Sequence, residues 1–485
     1  MGIIMARDLL LEGFIAHDEA GLGHHSFRCL YIGFHPKSKS MIIHDGHAAK
    51  VYSDGRLIYS YEKLGAQPRV AGDTHAAMAN SRDLLFIGGW LKAPPGVLPN
   101  GLQDMRNKYS HIHMIDENNR VEVLWSRKWD NKIPPNHWYG EVTDLLYDGH
   151  EDSVYFTRAD GHAELGLWRI ELRDRKVEYL AEGTVYKMEL KDDKIYATLF
   201  NPALMEDSAI VIYNMRDGSV NRVNEFEFAL EPGRRMKIRR RGGQIIQLQN
   251  RLMAFYAGAL IYIQPDKDKY TLFPLLETHN PEDGMPYHLG GVRSQKVYVY
   301  GIPIIAFNPW DHLKEPSARS DVTLLMRMDS VTPQVIASTG FISGMATDGE
   351  NLYLGASHTN HTGVYAYRSG IGGVFTIPVD KILSKPLTPV RVWIWDGAYS
   401  RESSGLNGWF GGIPLRGFNR RRLKIHVSKQ AKLTIAEYSL AAKVRAEEVQ
   451  LKDGWNIMEL DQYDDLVAFK LSEDNEISAE IILEP

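Results

Sequence analysis

The chain has 485 residues, a net charge of −5 at neutral pH and a single cysteine, Cys29. So mild a charge over this length gives no general attraction to nucleic acid or to a membrane surface, and one cysteine excludes an internal disulfide and a cysteine-only metal site. Apolar residues are numerous enough to fill a large core.

The first residues, "MGIIMARDLLLEGF", are interrupted by Arg7, Asp8 and Glu12 and lack the clean apolar segment and small-residue cleavage site of a secretory leader. No apolar run reaches membrane-spanning length, and the expected location is cytoplasmic. Short β-branched or aromatic runs then follow one another: "SMIIHDG", "DLLFIGGW", "SVYFTRA", "KIYATLF", "AIVIYNM", "KVYVYGI" and "NLYLGAS". Each is bounded by Asp, Gly, Asn or Lys, as strands between tight turns are. No helical period is sustained in the first 380 residues.

These runs repeat. Residues 45–61, "DGHAAKVYSDGRLIYSY", and residues 160–180, "DGHAELGLWRIELRDRKVEYL", open alike and return as two strands each. In "DGH" the aspartate is expected to accept backbone N–H groups and the glycine to take a positive φ. Longer units match element for element: "VTDLLYDGHEDSVYFTRADGHAELGLWRIELRDRKVEYL", "YKMELKDDKIYATLFNPALMEDSAIVIYNMRDGSVNRV" and "SGMATDGENLYLGASHTNHTGVYAYRSGIGGVFTI". Seven units are read, at about 25–70, 71–130, 139–182, 183–228, 237–278, 285–339 and 340–383, each of the length of a four-stranded blade.

The repeats are similar to those of a seven-bladed β-propeller, and the chain as a whole resembles an archaeal propeller family of unknown function. WD dipeptides, kelch double glycines and sialidase Asp-boxes are absent. After Pro386 the style changes to alternating apolar and polar residues, as in "RRLKIHVSKQAKLTIAEYSL", which predicts an antiparallel sandwich with one face inward. It resembles the small modules appended to carbohydrate-active propellers, which implies an accessory role. The expected fold is therefore all-β, a seven-bladed β-propeller over 1–385 followed by a C-terminal β-sandwich over 386–485.

In a propeller, the links between blades and the loops between second and third strands emerge around one mouth. Residues expected to open the inner strands are His25, His75, Glu141, Tyr186, Gln244, His288 and Ser343. Loops are expected to add His44, His47, His162, His358 and His361, while His111 and His113, two apart, face one side. No histidine falls between Ala163 and Thr278, so imidazoles gather on one arc of the ring.

Converging neutral imidazoles suit a divalent metal such as Mn, Zn, Ca or Fe. The candidate ligands are His25, His75 and His288 with Glu141 or Gln244, or His75 and His288 with His358 or His361. No organic cofactor is implied. In this respect the chain is similar to oligogalacturonate lyases and carotenoid oxygenases, whose surrounding motifs it lacks.

Lyase chemistry on a uronic acid needs a base, an electrophile and an acid for the leaving oxygen. "NHWYGEV" offers Tyr139 and Glu141 beside His137, and "PYHLGGVR" offers Tyr287, His288 and Arg293. A hydrolase would need two carboxylates, for which Asp73 and Glu141 are the best pair. His162, Tyr287 and two tryptophans read as loop residues, Trp90 and Trp310, are the candidate substrate contacts. The basic stretch "GRRMKIRRRGG" at 233–243 reads first as a solvated blade edge and second as an anion site.

The leading expectation is a carbohydrate-active enzyme, a polysaccharide lyase or glycoside hydrolase, acting on an oligo- or polysaccharide at the His-rich mouth. The alternatives are a non-enzymatic binding or scaffold propeller and a metal-dependent oxygenase. Neither nucleic acid nor membrane is an expected partner, and oligomerisation is left open.

Overall fold

The computed structural model describes residues 12–15, 30–45, 50–61, 77–92, 96–200, 206–279, 295–307, 323–328, 332–339, 341–357, 373–384, 386, 388–441 and 444–485. Among the described residues, antiparallel sheets succeed one another along the chain as propeller blades. Blade 1 holds Leu30–Phe34, Met41–Asp45, Lys50–Ser53 and Arg56–Ser60; blade 2 holds Ala77–Asn80, Leu85–Lys92, Lys108–Ile115 and Val121–Arg127. Blade 3 holds Glu141–Asp148, Ser153–Ala159, Gly166–Glu171 and Val177–Glu182; blade 4 holds Val185–Lys191, Lys194–Leu199, Ile210–Asn214 and Val220–Val223. Blade 5 holds Gly242–Leu248, Arg251–Tyr256, Ala259–Gln264 and Lys269–Pro274, and extends outward through Phe226–Phe228, which runs parallel to Lys269–Pro274, and Arg235–Met236. Blade 6 holds Gln295–Val299, Ile302–Phe307, Thr323–Arg327 and Gln334–Thr339; blade 7 begins with Phe341–Thr347, Asn351–Ser357 and Gly373–Pro378.

Burial follows blade position. The second strand of blade 3, Ser153–Ala159, is buried along its whole length because neighbouring blades cover both its faces. Its outermost strand, Val177–Glu182, alternates exposed and covered residues. The first strand of each blade lies nearest the axis and packs on the first strand of a neighbour: Leu30–Phe34 on Phe341–Thr347, Ala77–Asn80 on Glu141–Asp148, and Val185–Lys191 on Gly242–Leu248.

Blade 7 closes in a way the repeat did not predict. Its outermost strand is Glu12–Ile15, antiparallel to Gly373–Pro378, with Ile15 opposite Val374. The third strand is "GVFTIP", expected to be the last of the unit, and "GVYAY" at 363–367 lies outside the described residues. An early segment thus covers the edge that closure would otherwise leave open.

Residues 390–484 form two four-stranded antiparallel sheets. One has the order Val390–Tyr399, Asn475–Glu484, Arg420–Val427, Gly454–Glu459; the other runs Phe410–Pro414, Leu466–Leu471, Ala431–Tyr438, Val444–Leu451. Strand Arg420–Val427 reads exposed–buried in alternation, as its sequence pattern requires. Buried residues of these sheets and of blade 5 form one continuous core, including Phe273, Trp395, Phe410, Tyr438 and Phe469.

Polar contacts bolt the C-terminal sheets to blade 5. The Tyr438 hydroxyl donates to the Pro274 carbonyl at 2.6 Å, and Glu277 exchanges backbone hydrogen bonds with Gly411. Glu231 accepts from the Trp409 indole at 3.0 Å and from the Lys470 ammonium at 3.1 Å. His279 packs its ring 4.9 Å from that of Trp395.

The basic stretch 233–243 belongs to this junction and to the blade edge. Arg239 pairs with Asp207 at 3.1 Å, and buried Arg240 pairs with buried Glu277 at 3.2 Å. Burial pushes the Glu277 carboxyl up to about 7, Arg240 opposing the shift. Between its ordinary value and about 7, the folded protein keeps a proton that the unfolded chain has released. Stability is therefore expected to fall, by about 3 kcal/mol, as pH rises through that window. Urea denaturation of the native protein and of Glu277→Gln at pH values on either side checks this: the variant should lose most of the slope.

Candidate functional site

One described stretch of the mouth lies over blades 2 and 3. Trp90 sits near the end of the second strand of blade 2, inside Leu85–Lys92 rather than in the expected loop. Lys108 opens the third strand, and Trp138 lies in the link that leads to Glu141. These three side chains stack: the Lys108 ammonium lies 3.9 Å from the Trp90 ring centre and 3.4 Å from that of Trp138, and the two indoles are 5.9 Å apart at 62°. A cation held between aromatic faces is stabilised by both ring quadrupoles.

Next to them, His137 and His162 stack ring on ring at 4.4 Å with only 12° between their planes. The "DGH" loop carrying His162 is tied to the link: the His162 N–H donates to the Trp138 carbonyl at 2.9 Å, and the Trp138 N–H donates to His162 Nδ1 at 3.4 Å. Accepting at Nδ1 leaves the imidazole proton on Nε2 of an exposed side chain. Burial, His137 and Lys108 lower the His162 pKa below its ordinary value, so the ring is neutral at physiological pH and offers Nε2–H as a donor.

The turn itself differs from expectation. Asp160, not Gly161, takes the left-handed conformation, with φ 52°. Gly161 is needed because its backbone presses on Gly140, where an added Cβ would sit 2.2 Å from Gly140 Cα.

Tyr139 and Glu141 are held by structure. The Tyr139 hydroxyl donates to Asp130, Arg127 lies 3.9 Å over its ring, and its carbonyl accepts from Arg158. Burial and Asp130 raise the phenol to about 12. Arg158 is fully buried near Trp125, Tyr139 and Trp168 and pairs with Glu164 at 3.4 Å. Burial lowers its guanidinium to about 10, still protonated at neutral pH. Glu141 is buried at the start of the inner strand of blade 3. Trp125 and Trp168 flank Phe156, as blade packing requires.

A second group of histidines lies between blades 1 and 2. His44 belongs to the strand Met41–Asp45, not to the expected loop, and is fully buried. His111 and His113 do share one side: their Nδ1 atoms are 2.8 Å apart, so one carries the hydrogen the other accepts. The Tyr61 ring lies 5.4, 5.1 and 4.9 Å from the three imidazoles. His35 is also buried, its Nε2 3.2 Å from the Ile115 carbonyl of blade 2. These imidazoles join blades.

Among the described residues, no three His, Cys, Asp or Glu side chains form a metal-binding group. His25, His75, His288, His358 and His361 lie outside the described residues, as do Asp73, Tyr287, Arg293, Trp310 and His47. Of the expected set, Trp90 and His162 thus both lie against Trp138, while Tyr139 and Glu141 follow it in the link and at the start of the inner strand. Lys108, Trp138 and Arg158 were missed as site residues; the lysine that ends the long polar loop before "YSHIHMI" was the available signal.

Among the described residues no helix is long and apolar enough to cross a membrane. No curated protein is similar enough to match the chain. Among solved structures, it is similar to U3-55K, with a TM-score of 0.47 and 10% identity over 77% of this chain and 100% of that one. It is also similar to BamB from Moraxella catarrhalis (TM-score 0.40, 11% identity, 76% and 98% covered). Sqt1 from Saccharomyces cerevisiae gives a TM-score of 0.37 and 10% identity, with 76% and 89% covered. The repeats, the blades and a match over residues 40–343 agree: the chain belongs to the family described as an uncharacterized protein conserved in archaea, DUF2139.

Proposed function

We propose that the protein is a carbohydrate-active propeller that holds an acidic sugar at the mouth of blades 2 and 3 and cleaves its glycosidic bond by elimination. The observation that carries this reading is the Lys108 ammonium between Trp90 and Trp138, beside the outward Nε2–H of His162. Trp138 is buried and holds Lys108 in place, whereas the half-buried Trp90 can stack on the C–H face of a pyranose; an ammonium and a neutral imidazole N–H both donate to a carboxylate. Tyr139 is a weak acid at about 12 and is engaged by Asp130, so it positions the link rather than transferring the proton. The base and acid are drawn from the sequence candidates His288 and Tyr287; where His75 and His288 instead hold a divalent metal, that metal would stabilise the developing negative charge.

The test is digestion of a panel of polyuronates, followed by ultraviolet absorbance of the unsaturated product and by reducing ends. Native protein should generate both signals. Lys108→Met should raise KM about tenfold with kcat little changed, as expected for loss of one charge-assisted contact. Reducing ends without the absorbance would mean hydrolysis. Binding of polyuronate with neither signal would leave a binding module, and absence of binding would defeat the reading altogether.

A further inference from the structure

A second cavity lies away from the mouth, on the propeller axis. It has a volume of about 540 Å³ and is lined by the first strand of every blade, from Tyr31 in blade 1 to Met345 in blade 7. That volume suits a small ligand. The lining includes residues near the far ends of these strands, such as Asn80, Tyr147 and Tyr298, so the cavity reaches away from Trp90 and His162.

Its charges are paired. Glu189 binds the Lys296 ammonium at 2.7 Å and accepts from Tyr298 at 3.0 Å, both through Oε2. Lys296 donates further to the carbonyls of Met188 and Ile245, at 3.0 and 2.9 Å. Asp144 accepts the Met188 N–H at 2.8 Å through Oδ2 and has Lys187 3.9 Å from Oδ1. Two carboxylates thus face two lysines, which cancels the local field for either sign of ligand.

Neutral hydrogen-bonding capacity remains. Gln295 lines the cavity, is 9% exposed, and its amide has no hydrogen-bond partner among the described residues. A primary amide donates and accepts side by side. Glu189 Oε1 lies free of the Lys296 and Tyr298 contacts. Met78 of blade 2 and Met345 of blade 7 add adaptable apolar surface elsewhere on the lining.

We infer that this axial cavity is a binding site for an uncharged sugar of one or two rings. Ring hydroxyls donate to Glu189 and exchange hydrogen bonds with the Gln295 amide, and a C–H face rests on the methionines. This site is separate from the mouth and does not depend on the reading proposed for it.

The experiment is calorimetric titration of the full chain with D-glucose, D-galactose, D-mannose and maltose, with D-glucuronate as the charged control. At least one neutral sugar should bind, at least tenfold more tightly than glucuronate. Gln295→Leu should weaken that binding at least tenfold, and Lys108→Met should leave it unchanged. Met78→Trp, which fills the cavity from the other side, should also abolish binding and serves if Gln295→Leu does not fold. Failure of every neutral sugar to bind, equal binding of glucuronate, or binding that survives the cavity variants would overturn the assignment. Loss of binding in Lys108→Met alone would place the sugar at the mouth instead.

Discussion

Arg240→Ala is expected to destabilise the protein by about 3–5 kcal/mol at pH 8, the range for removing one partner of a buried ion pair. Arg240 is nearly buried, pairs with Glu277 at 3.2 Å and donates to the Gly405 carbonyl at 3.1 Å. Its backbone N–H donates to Ser208 at 2.8 Å, so the side chain projects from a fixed point on blade 4's border toward the C-terminal sheets. Without the guanidinium, an ionised Glu277 would remain fully buried with no opposing charge. The loss should shrink at pH 5, where Glu277 is already protonated and needs no cation. Combining Arg240→Ala with Glu277→Gln should recover much of the loss at pH 8, because the carboxylate is gone. Denaturant unfolding of the three variants at both pH values measures this. Equal loss at both pH values would mean that packing, not charge, dominates the junction.

Removal of residues 1–15 is the second large effect. It deletes the four-residue strand Glu12–Ile15 and uncovers the edge of Gly373–Pro378. At about one net kilocalorie per backbone hydrogen bond, roughly 3–4 kcal/mol of pairing is lost. The exposed edge then presents unpaired N–H and C=O groups to other chains. A lowered denaturation midpoint together with concentration-dependent self-association, seen by light scattering, is the expected pair of results. A midpoint within error of the full chain would show that the strand contributes nothing to closure.

Much of the ring was legible because blade strands announce themselves. Glu141, Tyr186, Gln244 and Ser343, read as openings of inner strands, each lie within the first three residues of one. The closing strand was not legible, since its partner is remote in sequence and four residues carry no period of their own. Arg158 was hidden for another reason: it sits in "SVYFTRA", an apolar run whose one charge is buried against aromatic rings. Trp90 reads as one of the first residues of the long stretch "GGWLKAPPGVLPNG", yet the strand runs on through it, and Gly88 lies where an added Cβ would meet Val142 at 2.6 Å. The aromatic clamp on Lys108 joins a strand end, a strand start and a link between blades, a conjunction that only the folded ring creates. The polar axis had a visible signal, the polar residues Asp144, Gln295 and Lys296 within inner strands, but nothing local says that such residues share a cavity.

The ring-closing pair has a temporal meaning. During synthesis Glu12–Ile15 emerges long before Gly373–Pro378, so the strand must wait, unpaired, while every intervening blade is made. In the C-terminal sheets, Asn475–Glu484 lies between Val390–Tyr399 and Arg420–Val427, both of which precede it. Order of synthesis and order of assembly therefore run against each other at both places. Contacts so remote in sequence slow the final steps, and the half-made chain passes through a long interval in which its open edges invite the wrong partner.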